Sequence, residues 1–335
     1  MAPSSETPES SQARTRDIAK RILGHENFVL VMILLVITAV MAVISKGVSI
    51  SPTNLRNIVL FSAHAGVAAI GQFFVILTAG IDLSVGGIAV MTILFGARLM
   101  TLMVAKQLLA GPLPIYQAIP IMLCAGLCVG AVNGTLVSRV GVPALIVTLG
   151  MWIMAKGGGL LISMGSIYSL PRELAFIGQG YIAGIPVAIL ILMVVFALAY
   201  FVLYHTPFGR SIYAVGGNPV TAHLSGIKVK NILLSVYMIS GTLAALAGLI
   251  LLSRTLVATN VMAQGLELNS IAACVLGGVS LFGGRGTLVG VIIGVLIIST
   301  INNGMIVLAL DPRIQDLVRG GVIFGAVAID SFRRR

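Results

Sequence analysis

The sequence predicts an all-α integral membrane protein with about ten transmembrane helices. The chain has 335 residues, of which 58% are hydrophobic and 9% charged, and its mean hydropathy is +1.08. This balance is too apolar for an ordinary soluble domain. Runs of roughly 20 apolar residues, enough to cross a ~30 Å hydrocarbon core as a helix, recur along the chain. Runs such as 28–44 are apolar on every face, which argues against the alternating strands of a membrane barrel.

The predicted spans follow from breaks at glycine, proline and charged residues. The eighth is short and rich in glycine, so we expect a half-helix or a re-entrant segment buried among the others. Within the fourth, Gly126, Gly130 and Gly134 fall four residues apart and predict a smooth helix face for close packing. The ten predicted spans are 28–45, 55–79, 84–104, 116–138, 143–163, 184–204, 231–253, 267–283, 287–309 and 315–331.

A single transmembrane domain, 28–331, is predicted between a polar tail, 1–27, and a basic end, 332–335. The tail is basic just before the first span and has no cleavage-like site, which favours a retained helix over a removed signal peptide. With the tail inside, twelve Lys and Arg residues lie in predicted cytoplasmic segments and six in external ones. Because positive charge is retained on the cytoplasmic side, we expect both termini in the cytoplasm.

The segment 205–230 is the longest polar connection after the tail and is predicted to be cytoplasmic. Gly216 and Gly217 are expected to supply a turn, Asn218 to cap a helix, and Pro219 to occupy its first position. Gly226 suits the stop of that helix. The result is a helix of about two turns, roughly 10 Å long, which is too short to be stable without something to pack against. The residues alone leave open whether it lies on its own bundle or binds a partner.

A single aspartate lies in the stretch GIDLSVGG, which connects the second and third predicted spans. Gly80 is expected to end one helix in the left-handed conformation, and Asp82 or Ser84 to cap the next. Gly86 and Gly87 would let a neighbouring helix approach the new first turn. Alternatively, Asp82 lines the transport route and contacts the solute. Capping accounts for the whole motif, and the solute-binding alternative stays open.

Other polar residues within the spans allow the same two interpretations, a solute contact or a bond between helices. Glu267 is also a candidate for a first-turn partner of the helix dipole, and Lys156 and Arg98 can extend to the membrane interface. The candidates for the translocation path or for helix capping are His64, Asp82, Ser84, Asn133, Asn302 and Asn303.

No sequence motif on this chain indicates catalysis, a metal site or nucleotide binding. The phosphate-binding pattern GxxxxGK[ST] is absent, and the nearest stretch, GVSLFGGRGT at 278–287, lacks its lysine and lies in an apolar context. HExxH, GxSxG and a clustered pair of acids are absent as well. The net charge of +11 is scattered between apolar segments and does not indicate nucleic acid as a partner. We therefore expect neither an enzyme nor a motor, with energy supplied from elsewhere.

Four motifs in this order resemble the permease subunits of ribose-type ABC sugar importers. They are GIDLSVGG at 80–87, GRSIYAVGGNPVTAHLSGIKV at 209–229, LELNSIAACVLGGVSLFGGRGTLVG at 266–290, and NNG at 302–304. The resemblance covers nearly the whole chain from about residue 28 onward. Two departures from the family pattern are small: Asn269 stands where an acidic residue is common, and Gly87 where a serine is common.

This resemblance implies a translocation subunit in a bacterial inner membrane. A second permease copy would complete the pore, separate ATPase subunits would bind ATP and Mg, and an outer sugar-binding protein would deliver a monosaccharide, a pentose such as ribose being the first expectation. No cofactor is expected on this chain. The alternative is a secondary carrier driven by an ion gradient, with Asp82, His64 or Glu267 as a relay. The resemblance assigns the role of ATPase-coupling helix to a segment that includes Gly216, Gly217, Asn218, Pro219, Thr221, Ala222, Leu224, Ser225 and Gly226.

Overall fold

A computed structural model describes residues 26–101, 112–168 and 170–332. Within these ranges the protein is built from α-helices, with one two-stranded hairpin in which β1 (Tyr181–Ile182) pairs antiparallel with β2 (Ile185–Pro186). The helices are α1 (Glu26–Ile44), α2 (Pro52–Leu77), α3 (Val85–Leu99), α4 (Ile115–Thr135), α5 (Ala144–Ser163), α6 (Ala175–Gln179), α7 (Val187–His205), α8 (Pro207–Gly217), α9 (Pro219–Leu224), α10 (Val229–Thr255), α11 (Leu266–Leu276), α12 (Leu288–Val307) and α13 (Pro312–Phe332).

Seven helices in the described ranges are long and apolar enough to cross a membrane, namely α1, α2, α4, α5, α7, α10 and α12. The two shorter apolar helices are α3 and α11. The eighth predicted span is indeed short, because its helix ends at Leu276 and the chain then turns through glycines with positive φ. Helix α13 carries Arg313, Asp316 and Arg319 and is less apolar. The all-α membrane architecture is confirmed, and the number of ten crossings stays a prediction.

The centre of the bundle is formed by α2 and α3, with α10 packed against both and α12 packed against α2. In the second half of α2 nearly every side chain is buried, including Phe73 and Phe74. Helices α1 and α5 instead expose mainly aliphatic side chains, and α7 exposes aliphatic and aromatic ones. In an aqueous protein such faces would be unfavourable, whereas a bilayer or a neighbouring membrane chain accommodates them.

Helices α4 and α10 pack closely along the predicted glycine face. A Cβ atom at Gly126 would lie 2.6 Å from the Cβ of Ala245, and one at Gly134 would lie 2.9 Å from the Cα of Leu234. Gly130 meets the backbone of Tyr237 in the same way. The prediction of a smooth face is therefore confirmed, since side chains at these positions would force the two helices apart.

Candidate functional site

The carboxylate of Asp82 is completely buried between helices near the amino end of α3. Its Oδ1 accepts hydrogen bonds from the backbone N–H of Ser84, at 2.9 Å, and from the Ser84 hydroxyl. Its Oδ2 accepts a bond from the hydroxyl of Ser240 in α10, at 2.7 Å. No cation pairs with Asp82 among the described residues. Hydrogen bonds, rather than an ion pair, therefore stabilise this buried group.

Two amides extend the network around Asp82 to further helices. The Asn133 amide in α4 donates to the Ser84 hydroxyl at 2.8 Å. In the orientation that satisfies both of its ends, the buried Gln72 amide in α2 donates to the backbone oxygen of Asp82 at 2.9 Å and accepts from its N–H at 3.1 Å. Helices α2, α4 and α10 thus hold the same loop. We call these residues, with Ser84 and Ser240, the Asp82 cluster.

The start of α3 differs in two details from the sequence prediction. Ser84 occupies the N-cap position, but its hydroxyl donates to Asp82 and makes no capping bond, so Asp82 supplies the side chain that accepts a backbone N–H. The left-handed residue after α2 is Ala79, with φ +60°, and the expectation for Gly80 was wrong. Gly80 is needed for space instead, because a Cβ there would lie 2.8 Å from the hydroxyl oxygen of Tyr237.

The remaining candidates within the spans do not join the Asp82 cluster. Near the end of α12, the Asn303 side-chain oxygen accepts a bond from Asn54 at 2.7 Å. The neighbouring Asn302 accepts one from Arg319 of α13 at 3.0 Å. His64 lies in the middle of α2, and its Nδ1 has no hydrogen-bond partner in the part of the chain that is described. Of the six candidates, the structure brings together Asp82, Ser84 and Asn133, and the two asparagines of α12 connect helices.

The amino end of the short helix α9 forms as the sequence predicts. The side-chain oxygen of Asn218 accepts bonds from the backbone N–H groups of Val220, at 2.9 Å, and Thr221, at 3.0 Å. Pro219 follows as the first helical residue, where its missing N–H costs nothing. These bonds satisfy two backbone N–H groups of the first turn, which have no partner within the helix itself.

The carboxyl end of α9 closes with the predicted glycine. Gly226 adopts φ +84°, and its N–H bonds the carbonyl of His223 at 3.0 Å, while the N–H of Ile227 bonds that of Ala222 at 3.1 Å. This pair of bonds is the Schellman arrangement, which the left-handed glycine permits. The Ser225 hydroxyl adds a bond to the preceding turn. Helix α9 is therefore fixed at both ends by its own sequence.

Helix α9 presents apolar side chains to the outside. Leu224 is 82% exposed and Val220 is 68% exposed, and they lie one turn apart on the same face. Ala222 is buried against the bundle. Beside the helix a groove of about 600 Å³ is lined by residues that include His223, Lys228 and Ser138. The exposed stripe and the groove form one surface that the described chain leaves uncovered.

Gly216 and Gly217 lie in the last turn of α8, so the expectation that they form a turn was wrong. Gly216 is buried, and a Cβ there would overlap the carbonyl oxygen of Leu77 at the end of α2 and would lie 2.6 Å from the backbone nitrogen of Gly284. The N–H of Gly284 also bonds that Leu77 oxygen at 2.9 Å. Three backbones therefore meet without side chains between them at Gly216, Leu77 and Gly283–Gly284, and we call this contact the glycine joint.

A tyrosine fastens α8 to the same loop. The hydroxyl of Tyr213 donates to the backbone oxygen of Gly286 at 3.0 Å. Burial raises the pKa of Tyr213 above its ordinary value, so this hydroxyl keeps its proton and remains a donor. Helix α8, which leads directly into α9, is thus held to the loop before α12 by backbone and side chain.

A bundle with a buried centre and several long helices that expose apolar faces is the architecture of a multi-pass membrane protein. The sequence profile of the family described as "Branched-chain amino acid transport system / permease component" matches residues 54–327. The chain belongs to this permease family and is a multi-pass protein of the inner membrane, a permease subunit rather than an enzyme.

Curated relatives align over most of their length. The chain is 38% identical over 320 residues to the ribose import permease protein RbsC of Haemophilus influenzae, covering 94% of this chain and 95% of the relative. It is 37% identical over 299 residues to the D-allose transport system permease protein AlsC of Escherichia coli, covering 89% of each. It is 35% identical over 320 residues to the fructose import permease protein FrcC of Rhizobium meliloti, covering 91% and 85%. No solved structure gives a significant match.

Proposed function

We propose that this chain is the translocation subunit of an ATP-driven, binding-protein-dependent importer of a monosaccharide. The family supports transport, and the relatives named above are permeases for ribose, D-allose and fructose, two of which are named as import permeases. These solutes share the chemistry of a small uncharged polyol. A pentose such as ribose is the proposed solute, because ribose permeases from several bacteria are 37–39% identical to this chain.

The surface formed by Val220, Leu224 and the groove beside α9, which we call the coupling surface, carries this proposal. Val220 and Leu224 are exposed on a helix whose two ends are both capped. The capping bonds therefore stabilise a helix that presents apolar side chains to the outside. An apolar stripe next to a groove, with polar residues around it, is a surface that a protein partner can cover. The partner we propose is an ABC ATPase subunit that binds ATP and Mg, with one such subunit for each of two identical permease copies. An external sugar-binding protein delivers the solute, and lipid covers the exposed faces of α1 and α7.

The glycine joint gives the coupling surface a mechanical connection to the interior. A displacement of α9 acts on α8, and α8 is in backbone contact with the end of α2 at Leu77. Five residues further along the chain lies Asp82, which α2 and α10 hold through hydrogen bonds, while α4 bonds the neighbouring Ser84. Because packed interfaces of this kind shift as units rather than deform, closure of an ATPase moves the membrane helices around the route together.

Two charge-introducing substitutions test the coupling surface. Val220→Glu and Leu224→Glu each place a carboxylate in the apolar stripe and leave the caps of α9 intact. We expect the purified permease to remain folded but to lose stable association with its ATPase, and ATP-driven ribose uptake in proteoliposomes to fall by about tenfold or more, as for loss of a central contact in an interface. Ile182→Glu, an exposed apolar residue in the β1–β2 hairpin, is the matched control. Full uptake by both α9 variants would contradict the proposal.

A further inference from the structure

The groove beside α9 is bordered by positive charge. Lys228 and Lys230, at the amino end of α10, line it together with His223 of α9. Both lysine side chains are exposed, and neither is paired with an acid among the residues that the structure describes. The groove is continuous with the apolar stripe of α9, because Val220 is itself one of its lining residues.

The loops around this groove carry charge of one sign. The segment 136–143 contributes Ser138 to the lining, 205–230 contains α9, and 278–287 contacts α8 at the glycine joint. Together these three segments contain five Lys and Arg residues and no Asp or Glu. The five cations are all exposed, namely Arg139, Arg210, Lys228, Lys230 and Arg285.

The retention of positive charge on the cytoplasmic side of a membrane explains the sign of these residues but not the place of the two lysines. Lys228 is the N-cap residue of α10, its side chain makes no capping bond, and the first turn of α10 contains no acid. A lysine at this position lies next to the positive end of the helix dipole, which is unfavourable and which a negative group would stabilise. The groove therefore has the charge and the space for carboxylates.

We propose that the groove binds an acidic segment of the ATPase subunit, whose carboxylates pair with Lys228 and Lys230 while its apolar side chains cover Val220 and Leu224. This inference rests on the proposed function and specifies the chemistry of the partner at the coupling surface. Opposite charges placed across an interface fix the register of the two partners and raise the rate of their association.

The position of the groove favours a protein over a lipid headgroup as its occupant. Pro219, Val220 and His223 of α9 form part of its lining, and α9 is not among the helices long enough to cross a membrane. The exposed apolar stripe of α9 adjoins the cations, so a single protein surface can cover both. The exposed Arg210 and Arg285 add to the field that attracts an acidic surface.

The salt dependence of ATPase binding tests this charge pairing. With purified permease in a neutral detergent free of anionic lipid, we expect the affinity for the cognate ATPase to fall several-fold between about 0.1 M and about 1 M salt, because salt screens exposed charges. The double variant Lys228→Gln with Lys230→Gln should weaken binding about three- to tenfold at the lower salt concentration, as for loss of two exposed ion pairs, and should remove most of the salt dependence.

Two control variants accompany this measurement. Lys228→Arg with Lys230→Arg keeps both charges and should retain the affinity and its salt dependence. Arg172→Gln, at an exposed arginine in the connection between α5 and α6, removes a charge far along the chain from the groove and should bind the ATPase as wild type does.

The outcomes separate this inference from the proposed function. Equal affinity of the double glutamine variant and wild type at about 0.1 M salt, or a wild-type affinity that salt does not change, would overturn the acidic segment and leave the importer assignment standing. An effect of the substitutions that appears only in vesicles containing phosphatidylglycerol would also overturn it, and would identify lipid phosphate as the occupant. A wild-type permease that neither binds the ATPase nor imports sugar with it would overturn the assignment itself.

Discussion

Replacing Gly216 by alanine perturbs the glycine joint without adding charge or removing a hydrogen bond. Ordinary van der Waals contact begins near 3.4 Å, yet the new Cβ would lie 2.6 Å from the Gly284 nitrogen and would overlap the Leu77 oxygen. To relieve the contact with the Gly284 nitrogen alone, the two backbones must move apart by about 0.8 Å. Both neighbours are backbone atoms, which have no rotamer to change. Overpacking of this kind costs about 1–3 kcal/mol, and a backbone neighbour favours the upper end of that range.

Gly217→Ala is the matched control for this substitution. Gly217 is the next residue of α8, its φ is not positive, and no atom lies within 4 Å of a Cβ built there. We expect Gly216→Ala to lower the thermal midpoint of the detergent-solubilised permease and to reduce ATP-driven uptake, and Gly217→Ala to stay within about 0.5 kcal/mol of wild type. Thermal unfolding and proteoliposome uptake measure the two effects. Identical behaviour of the two variants would refute the close contact at Gly216.

Three further substitutions test the Asp82 cluster and α9. Ser240→Ala leaves Asp82 Oδ2 without its donor and should lower the free energy of unfolding by about 1–3 kcal/mol. Ser253, a buried serine of the same helix, bonds only its own helix, so Ser253→Ala should cost much less. Equal thermal midpoints of the two variants would contradict the network. Asp82→Asn should preserve assembly and uptake, because an amide oxygen still accepts the Ser84 bonds, and a folded, assembled variant without transport would show a direct role in the route. Asn218→Ala should destabilise α9 by about 1 kcal/mol and lower ATP-driven uptake. Asn218→Ser keeps a side-chain acceptor at the cap and should retain wild-type uptake. Full uptake by the alanine variant would contradict the need for a capped α9.

Helix α9 and the short α11 are accessible to sequence reasoning because their signals are local. Asn218, Pro219 and Gly226 act within a few residues of where they stand, through bonds to neighbouring backbone groups. Likewise, the short apolar run before a pair of glycines is sufficient to predict a helix that stops early. The all-α membrane class follows from composition for the same reason, since each span satisfies its own backbone.

The interior sites depend on contacts between distant parts of the chain. Gln72 and Ser240 are missed as partners of Asp82 because nothing in their local sequence points to it, although a glutamine within an apolar run is itself a signal of buried bonding. Gly216 is misassigned because a glycine that permits a turn and one that permits close packing look alike in sequence. The approach of Trp152 to Glu267 is likewise visible only once α5 and α11 are packed together.

Uptake by proteoliposomes of defined composition tests the central claim that this chain forms the transport pathway and that a separate ATPase supplies the energy. Permease alone, given an inward proton or sodium gradient and ribose, should accumulate none. Addition of the cognate ATPase, the binding protein and ATP should start accumulation, and Leu224→Glu in the permease should lower it about tenfold or more. Ribose accumulation by the chain alone, driven by either ion gradient, would contradict the claim and establish a secondary carrier.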